Sequence, residues 1–228
     1  MQPREDRSCY EAPVQREVLV ALARLPSVSP GFFLTGGTAL AVFYLHHRVS
    51  RDLDLFTRGA FEPGALAFQA RSLWPGDFSL TQESESFVSF LAKGVRVDLV
   101  RDPLSRDVDR VRVPLAPKVD LAVDGIEDIA ANKLCTVASR REPKDFVDLY
   151  AILTKCPSLS LDALYDGARK KEALFDDPAT VAYQIEENFR AVTSAPELLP
   201  DLRTPIDQQA WARFYEKLCS DIYARLRR

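Results

Sequence analysis

The sequence predicts an α+β fold, in which an N-terminal α/β half is followed by a half made of helices. Two observations support this prediction. Short apolar or alternating runs, typical of strands, are interleaved with helix-like segments up to about residue 100. From Ile126 almost to the end, apolar residues recur with helical spacing. The stretch between the two halves is loop-like and rich in proline, so we place the boundary there and predict domains 1–118 and 119–228.

The N-terminal half alternates predicted helices and strands. Helical periodicity is found in segments 14–25, 38–45 and 61–73. Strand patterns are found in segments 31–35, 51–56, 87–91, 95–100 and 111–113, with a hairpin turn at Lys93-Gly94. In the C-terminal half two helices meet at Pro143, and three more cover about 161–174, 178–193 and 206–227.

Composition is that of an ordinary globular protein, with 46 % hydrophobic and 28 % charged residues among 228. Thirty basic and 33 acidic residues give a net charge of -3, so bulk charge does not indicate a nucleic-acid binder. Any RNA contact would need a local basic patch. The N-terminus is polar, and no apolar run approaches the roughly 18–20 residues that span a bilayer. We therefore expect a cytoplasmic protein without a membrane partner.

The cysteines and histidines do not predict a metal site by their spacing. The four cysteines form no CxxC pair, which favours reduced cysteines over a zinc or redox motif. His46 and His47 are adjacent, and adjacent side chains on a helix point about 100° apart, so the two cannot easily chelate one ion. We interpret both as structural or as neighbours of a nucleotide.

Three carboxylates form the first candidate site. Asp52 and Asp54 are two apart on a predicted strand, so both side chains lie on the same face. Asp98 alternates in the same way with the apolar residues of its own strand. If the two strands are neighbours, the three carboxylates converge, as a two-metal phosphoryl-transfer site requires. Hard oxygen ligands on a rigid strand suit Mg²⁺. The alternative is an exposed acidic strand face without a ligand.

A glycine turn precedes the carboxylates. Thr35-Gly36-Gly37-Thr38 follows a buried strand and opens a helix. Two glycines allow a ligand to approach the backbone closely and leave N–H groups available. Together with the start of a helix they form a site for phosphate oxygens. The alternative is a tight turn that binds nothing.

These segments resemble a known family. Gly36-Gly37, followed fifteen residues later by Asp52-x-Asp54, is similar to the signature of the polymerase-β-type nucleotidyltransferase superfamily. The string TGGTALAVFYLHHRVSRDLDLF, residues 35–56, resembles the AbiEii/AbiGii-type toxin family. The similarity extends more loosely to VRVDLV (95–100) and NKLCTVASRREPKDFVDLY (132–150). It implies a polymerase-β-type α/β domain with a mixed sheet, followed by a C-terminal helical bundle that completes the active-site cleft.

The resemblance also implies roles for individual residues. Asp52 and Asp54 are expected to bind metal. Asp98 is expected to be the third carboxylate, either as a metal ligand or as the base that takes the proton of the incoming hydroxyl. Those expected to bind the triphosphate are Gly36, Gly37, Thr38, Arg48 and Ser50. Lys133 and Asp145 match a lysine and an aspartate in the family's helical half. The match implies that Lys133 takes part in catalysis and binds the nucleotide, and that Asp145 binds the nucleotide.

Lys133 is unusual without reference to any family. It projects from the otherwise apolar helix face that contains Ile129 and Val137, although lysine is rarely buried unless it is paired. It either extends to the solvent at the edge or reaches a phosphate or a carboxylate. Asp145 and Asp148, in the first turn of the next helix, either complement the helix dipole or, for Asp145, pair with Lys133 or touch the nucleotide.

The function predicted from these features is transfer of a nucleoside monophosphate from an NTP to an acceptor hydroxyl, with release of pyrophosphate. The resemblance implies Mg²⁺ or Mn²⁺, a toxin that acts on the 3′ end of tRNA, and a cognate antitoxin.

Two other functions stay open. A small-molecule or protein hydroxyl as acceptor is favoured by the mild net charge. RNA is favoured as the acceptor if six basic residues share one cleft, namely Arg140, Arg141, Lys144, Arg169, Lys170 and Lys171. Separately, we interpret the terminal segment Arg225–Arg228 as a solvated tail that could touch RNA. A non-catalytic domain that binds a nucleotide or a partner is disfavoured, because the carboxylates, the glycines and Lys133 occur together.

Overall fold

Seven strands form one mixed sheet in the first part of the chain. A computed structural model describes residues 1–227. The strands are β1 (Phe33–Leu34), β2 (Leu53–Thr57), β3 (Phe78–Ser84), β4 (Phe87–Ala92), β5 (Val95–Arg101), β6 (Val111–Ala116) and β7 (Val119–Val123). Their order across the sheet is β3-β4-β5-β2-β1-β7-β6. β2 is parallel to β5 and β1 to β7, and the other neighbours are antiparallel. The predicted mixed sheet is confirmed.

The chain divides into two units, Met1–Ile126 and a second that begins at Glu127. The first contains α1 (Pro13–Ala23), α2 (Gly36–Thr38), which continues as a π-helix (Ala39–Leu45), and α3 (Pro63–Leu73). The other helices are α4 (Ile126–Ser139), α5 (Pro143–Lys155), α6 (Leu161–Arg169), α7 (Pro178–Thr193) and α8 (Gln208–Tyr223). Short 3-10 helices cover Arg7–Cys9, Ala173–Asp176, Pro196–Leu198 and Ala224–Arg227. Proline begins four of the long helices, where its missing N–H costs no hydrogen bond.

The strands that carry the candidate carboxylates alternate as the sequence predicts. In β2, Leu53, Leu55 and Thr57 are buried, whereas Asp54 and Phe56 are partly exposed. In β5, Val95, Val97 and Leu99 are buried and Asp98 is partly exposed. The apolar side chains of both strands therefore fix which face carries the acids.

Two strands were absent from the sequence prediction. β3 is an edge strand whose residues are almost all exposed, so it carries no apolar alternation. β7 is short and lies between β6 and α4, in the stretch that its prolines led us to interpret as a loop. It forms a hairpin with β6 through a turn in which Lys118 has φ 60°. The predicted boundary between residues 118 and 119 falls in this turn, whereas the first unit continues to Ile126.

Aromatic rings from α5, α7 and α8 form the core of the second unit. The centroid of the Phe146 ring lies 5.2 Å from that of Tyr215, and Phe189 stacks on Tyr215 at 4.4 Å. The Tyr215 hydroxyl donates a hydrogen bond of 2.7 Å to the Phe146 carbonyl, so the buried phenol is satisfied. Among the residues that the structure describes, no helix combines the length and apolar character needed to cross a bilayer.

Candidate functional site

The glycine turn lies between an acidic side chain, Asp54, and a positively charged one, Arg48. Gly36 has φ 65°, in the left-handed region that favours glycine. A Cβ atom at Gly36 would overlap Oδ2 of Asp54, and one at Gly37 would overlap Nη2 of Arg48. Neither position has room for a side chain, because a carboxylate covers one glycine and a guanidinium group covers the other.

Two of the three carboxylates lie on neighbouring strands. β2 and β5 are parallel partners, and Asp54 is directly opposite Asp98. Asp52 comes immediately before β2, and all three side chains are partly exposed. The pKa of Arg96 is raised above its ordinary value by a hydrogen bond and the charge of Asp98, and the charges of Asp52 and Asp54 act in the same direction. The charges of all three acids therefore act on Arg96, and the two strands are neighbours, which was the condition for the carboxylates to lie near one another.

Ser89 and Arg96 orient Asp98. The Ser89 hydroxyl donates a hydrogen bond of 2.6 Å to Oδ1 of Asp98, and Arg96 Nε donates one of 3.2 Å to the same oxygen. Ser89 is buried, on β4, directly opposite Asp98. Sequence reasoning missed this serine, although a hairpin centred on Lys93-Gly94 already pairs positions 89 and 98.

Thr38 and Ser50 hold the turn against the segment before the acids. Thr38 Oγ1 lies 2.8 Å from Ser50 Oγ and also donates to the carbonyl of Asp52. Arg48 is buried, and its Nη1 donates a hydrogen bond of 2.9 Å to the Val49 carbonyl. Thr38 and Ser50 are both buried, so their hydroxyl groups fix the position of the turn through these internal hydrogen bonds. Contact of Thr38, Arg48 and Ser50 with a triphosphate stays a prediction.

A buried acid supports the turn from the other side. Asp124 follows β7, and its Oδ2 accepts a hydrogen bond of 2.8 Å from the hydroxyl of Thr35. Its Oδ1 lies 2.8 Å from Nε of Arg110, whose Cζ lies 3.4 Å from the centroid of the Phe33 ring. Asp124 is 1 % exposed, so this ion pair lies inside the unit. The sequence prediction missed Asp124 because it missed β7, the strand that places it.

Lys133 lies in an ion cluster inside the second unit. Its Nζ is 2.6 Å from Oδ1 of Asp145 and 2.7 Å from Oδ2 of Asp148. Nε of Arg140 is 2.6 Å from the other oxygen of Asp145. Lys133 is 5 % exposed and both acids are 0 % exposed. The predicted Lys133–Asp145 pairing is confirmed. The alternative in which Lys133 extends to the solvent was wrong. The interpretation of Asp148 as only a complement to the helix dipole was also wrong, because Asp148 forms an ion pair with Lys133.

Charge balance decides the ionisation of Asp145. Burial raises the pKa of its carboxyl group, but the charge of Lys133 and the hydrogen bond and charge of Arg140 lower it by more. The resulting pKa is below the ordinary value, so Asp145 is ionised at neutral pH. Within their unit Lys133 and Asp145 satisfy each other, and the nucleotide-binding roles implied for them stay predictions.

The basic residues proposed for an RNA-binding cleft do not all face the solvent. Arg140, Arg141, Arg169 and Lys170 are exposed. Lys144 and Lys171 are partly buried, and Lys171 Nζ lies 3.4 Å from Oδ1 of the buried Asp128. At the C-terminus Arg225 pairs with Asp162 and stacks on Tyr165, so it is not part of a solvated tail. Arg228 of the predicted tail lies outside the described residues.

The comparison with protein families covers most of the chain. Residues 17–222 match the model of the family described as the nucleotidyl transferase AbiEii toxin of type IV toxin–antitoxin systems. The chain belongs to the AbiEii family. Both the resemblance noted in the sequence and the predicted enzyme class, nucleotidyltransferase, are thereby confirmed.

Individual relatives of this AbiEii chain are distant. The uncharacterised protein aq_aa25 of Aquifex aeolicus (strain VF5) is 30 % identical over 145 residues, which cover 62 % of the chain and 66 % of that protein. The chain thus spans just under two thirds of that relative.

Solved structures share the fold at low identity. JHP933 from Helicobacter pylori has a TM-score of 0.58 and 18 % identity, covering 94 % of this chain and 91 % of that chain. MenT4, a nucleotidyltransferase toxin from Mycobacterium tuberculosis H37Rv, has a TM-score of 0.58 and 17 % identity, covering 92 % and 82 %. At these identities the likeness shows the fold, and the predicted α+β fold class is confirmed.

The acids of the AbiEii chain fit a hard divalent cation. Carboxylate oxygens are the ligands that Mg²⁺ and Mn²⁺ prefer. Asp54 lies over the bare backbone of Gly36, and Asp98 lies in register beside it. Asp52, Asp54 and Asp98 are therefore the residues that would hold such an ion.

Proposed function

We propose that this chain transfers a nucleoside monophosphate from an NTP to an acceptor hydroxyl. The observation that carries the proposal is the position of the Gly36-Gly37 backbone between Asp54 and Arg48, with Asp98 in register beside Asp54. In the reaction the acceptor oxygen forms a bond to the α-phosphorus, the bond from that phosphorus to the bridging oxygen breaks, and pyrophosphate leaves with the electron pair. The hydroxyl proton goes to a base, a role open to Asp98.

Each part of the site has a task in this proposal. The N–H groups of Gly36 and Gly37 donate to phosphate oxygens, which the absence of side chains allows to come close. The guanidinium of Arg48, beside Gly37, adds positive charge for the triphosphate. Asp52, Asp54 and Asp98 hold Mg²⁺ or Mn²⁺, which neutralises charge on the triphosphate when bound. Ser89 and Arg96 keep Asp98 in position through their hydrogen bonds.

We propose the 3′ end of tRNA as the acceptor. The family is one of toxins in type IV toxin–antitoxin systems, so a cognate antitoxin is the expected partner. Exposed Arg141, Arg169 and Lys170 offer positive charge for phosphate contacts, which supply most non-specific affinity for nucleic acids. NTPs and tRNA occur together in the cytoplasm, and we propose that the protein acts there.

The test is label transfer by the full-length protein. Purified protein is incubated with Mg²⁺, total tRNA and each of the four NTPs labelled at the α-phosphate. The paired variants are Asp54→Asn, at the site, and Asp120→Asn, an exposed acid on β7 that lies outside it. We expect labelled tRNA with the wild type and with Asp120→Asn, and none with Asp54→Asn.

Other outcomes separate the alternatives. Pyrophosphate release with a cell extract, without label on tRNA, would assign the acceptor to a small molecule or a protein, as the net charge of -3 would allow. Equal labelling by Asp54→Asn and wild type would contradict the assignment of the site. Absence of any turnover by the folded wild type would support a non-catalytic nucleotide-binding domain.

A further inference from the structure

Three side chains of types that can bind metals lie close together in the first unit. Asp6, Cys9 and His46 each offer one ligand atom, and these three atoms all lie within 4.8 Å of one another. Cys9 is 0 % exposed, whereas Asp6 and His46 are partly exposed. The three residues come from two segments, the N-terminal stretch and the end of the π-helix, so the fold brings them together.

Backbone hydrogen bonds fix these segments. Asp6 N donates to the Val42 carbonyl at 2.8 Å, and Arg4 N donates to the Phe43 carbonyl at 2.7 Å. Both acceptors belong to the π-helix that ends just before His46. Ser8 donates from its backbone N–H and its hydroxyl to Oδ1 of Asp6, which orients the carboxylate as outer partners of metal ligands do. The cluster is therefore held in place without any ion.

His46 is the residue at which the π-helix ends. Its φ of 51° is the left-handed conformation common at helix ends, and its backbone N–H donates to the Ala41 carbonyl at 3.1 Å. Its Nδ1 atom is buried, with no hydrogen-bond partner within the described part of the chain. Buried polar atoms are costly when they are not satisfied. One ring nitrogen of His46 also belongs to the group that contains the Cys9 thiol and the Asp6 carboxylate, and these atom types are suited to a metal ion.

We propose that Asp6, Cys9 and His46 bind one Zn²⁺ ion. Thiolate, imidazole and carboxylate are the three ligand types of zinc sites, whereas a thiolate ligand disfavours Mg²⁺. Zinc bond lengths place neighbouring ligand atoms roughly 3.3–3.8 Å apart in a tetrahedral site, so small side-chain adjustments close the cluster around the ion. Water takes the fourth position, which the partial exposure of Asp6 and His46 permits.

Zinc at this site would stiffen the segment beneath the glycine turn. The Cys9 carbonyl accepts a hydrogen bond of 2.9 Å from Ser50 N, and Tyr10 forms a parallel bridge with Ser50. His46 is two residues before Arg48, whose guanidinium covers Gly37. The ion links the N-terminus to this segment, so zinc raises the stability of the folded protein by mass action.

The test uses the full-length protein after metal removal under reducing conditions. Titration with Co²⁺ alone, followed by absorption spectroscopy, should give a thiolate-to-cobalt charge-transfer band that saturates at about one ion per chain and is bleached by Zn²⁺. Zn²⁺ alone should raise the melting temperature, and a chelator should reverse the rise. Absence of a saturable band would overturn the proposal.

Variants assign the site. Cys9→Ser should abolish the charge-transfer band, and Cys156→Ser, which removes another buried cysteine, should preserve it. Because Cys9→Ser could fail to fold, His46→Asn provides a second test, since asparagine tolerates the left-handed backbone. We expect His46→Asn to lower the affinity for Co²⁺ by at least roughly 10- to 100-fold. That is the loss seen when only an outer partner of a metal ligand is removed. Wild-type affinity in folded His46→Asn would contradict the proposal.

Discussion

Two carboxylate clusters of this chain differ in burial. In the first unit Asp52, Asp54 and Asp98 are partly exposed. The Asp54 carboxylate lies against the backbone of Gly36, where a Cβ atom would overlap its Oδ2. In the second unit Asp145 and Asp148 are 0 % exposed, and both contact Lys133. The first arrangement keeps charge accessible to a ligand, and the second uses charge inside a core. Substitutions should therefore reduce activity in the first cluster and stability in the second.

The largest effect is expected from Asp54→Asn. Asparagine has the same shape but lacks the negative charge, so cation binding at the turn should weaken. Nucleotidyl transfer should fall by roughly 10³-fold, the scale of losing a key electrostatic group. The initial rate of pyrophosphate release measures this loss, and the melting temperature should stay near that of the wild type. A stable variant with a wild-type rate would contradict the proposed role of Asp54.

Lys133→Met tests the other side of the comparison. It leaves two buried carboxylates without the cation between them, which should cost about 3–5 kcal/mol of unfolding free energy. Urea unfolding of the full chain measures it. Lys217→Met, at an exposed lysine paired with Asp221, is the matched control and should cost less than about 0.5 kcal/mol. If Lys133→Met keeps its stability but loses transfer, Lys133 acts mainly on the nucleotide.

A smaller effect on stability is expected from Gly36→Ala. Alanine at φ 65° is strained, and its Cβ would overlap the Asp54 carboxylate. We expect a cost of about 1–2 kcal/mol and a loss of transfer of at least roughly tenfold. Thermal unfolding and the transfer rate measure the two parts. Gly76→Ala, where nothing lies within 4 Å of the added carbon, is the control and should change neither.

The pH dependence of stability gives the smallest predicted effect. Burial raises the pKa of Asp145, but Lys133 and Arg140 lower it by more, so its folded pKa is below its unfolded pKa. Its contribution is therefore complete above the unfolded pKa of about 3.9 and is lost as the pH falls through the folded pKa. Urea midpoints measured between neutral and acidic pH should fall less steeply for Asp145→Asn than for wild type. Parallel curves would show that Asp145 contributes nothing to acid sensitivity.

Residues whose patterns are local were predictable from the sequence. Alternation along β2 and β5 placed Asp54 and Asp98 on one face. The glycine pair predicted a tight turn between strand and helix, and the structure gives Gly36 a positive φ. The cation in an apolar helix stripe singled out Lys133 and left open solvent or an anionic partner, and the structure identifies the partners as Asp145 and Asp148.

Residues that depend on distant pairing were not predictable. Asp124 meets Thr35 only because β7 lies beside β1, and the prolines before β7 led us to interpret its stretch as a loop. Cys9 and His46 are 37 positions apart and come together because the N-terminal stretch binds the π-helix. Spacing rules for metal sites detect ligands close in sequence, so they fail for such a cluster.

The most direct test of the account is binding of Mn²⁺ with a non-hydrolysable NTP, measured by electron paramagnetic resonance on wild type and Asp54→Asn. If the first cluster holds the cation and the nucleotide, wild type should bind the pair at least roughly 10- to 100-fold more tightly than the variant. Equal affinities in two folded proteins would contradict the claim that the carboxylates beside the glycine turn form the nucleotide site.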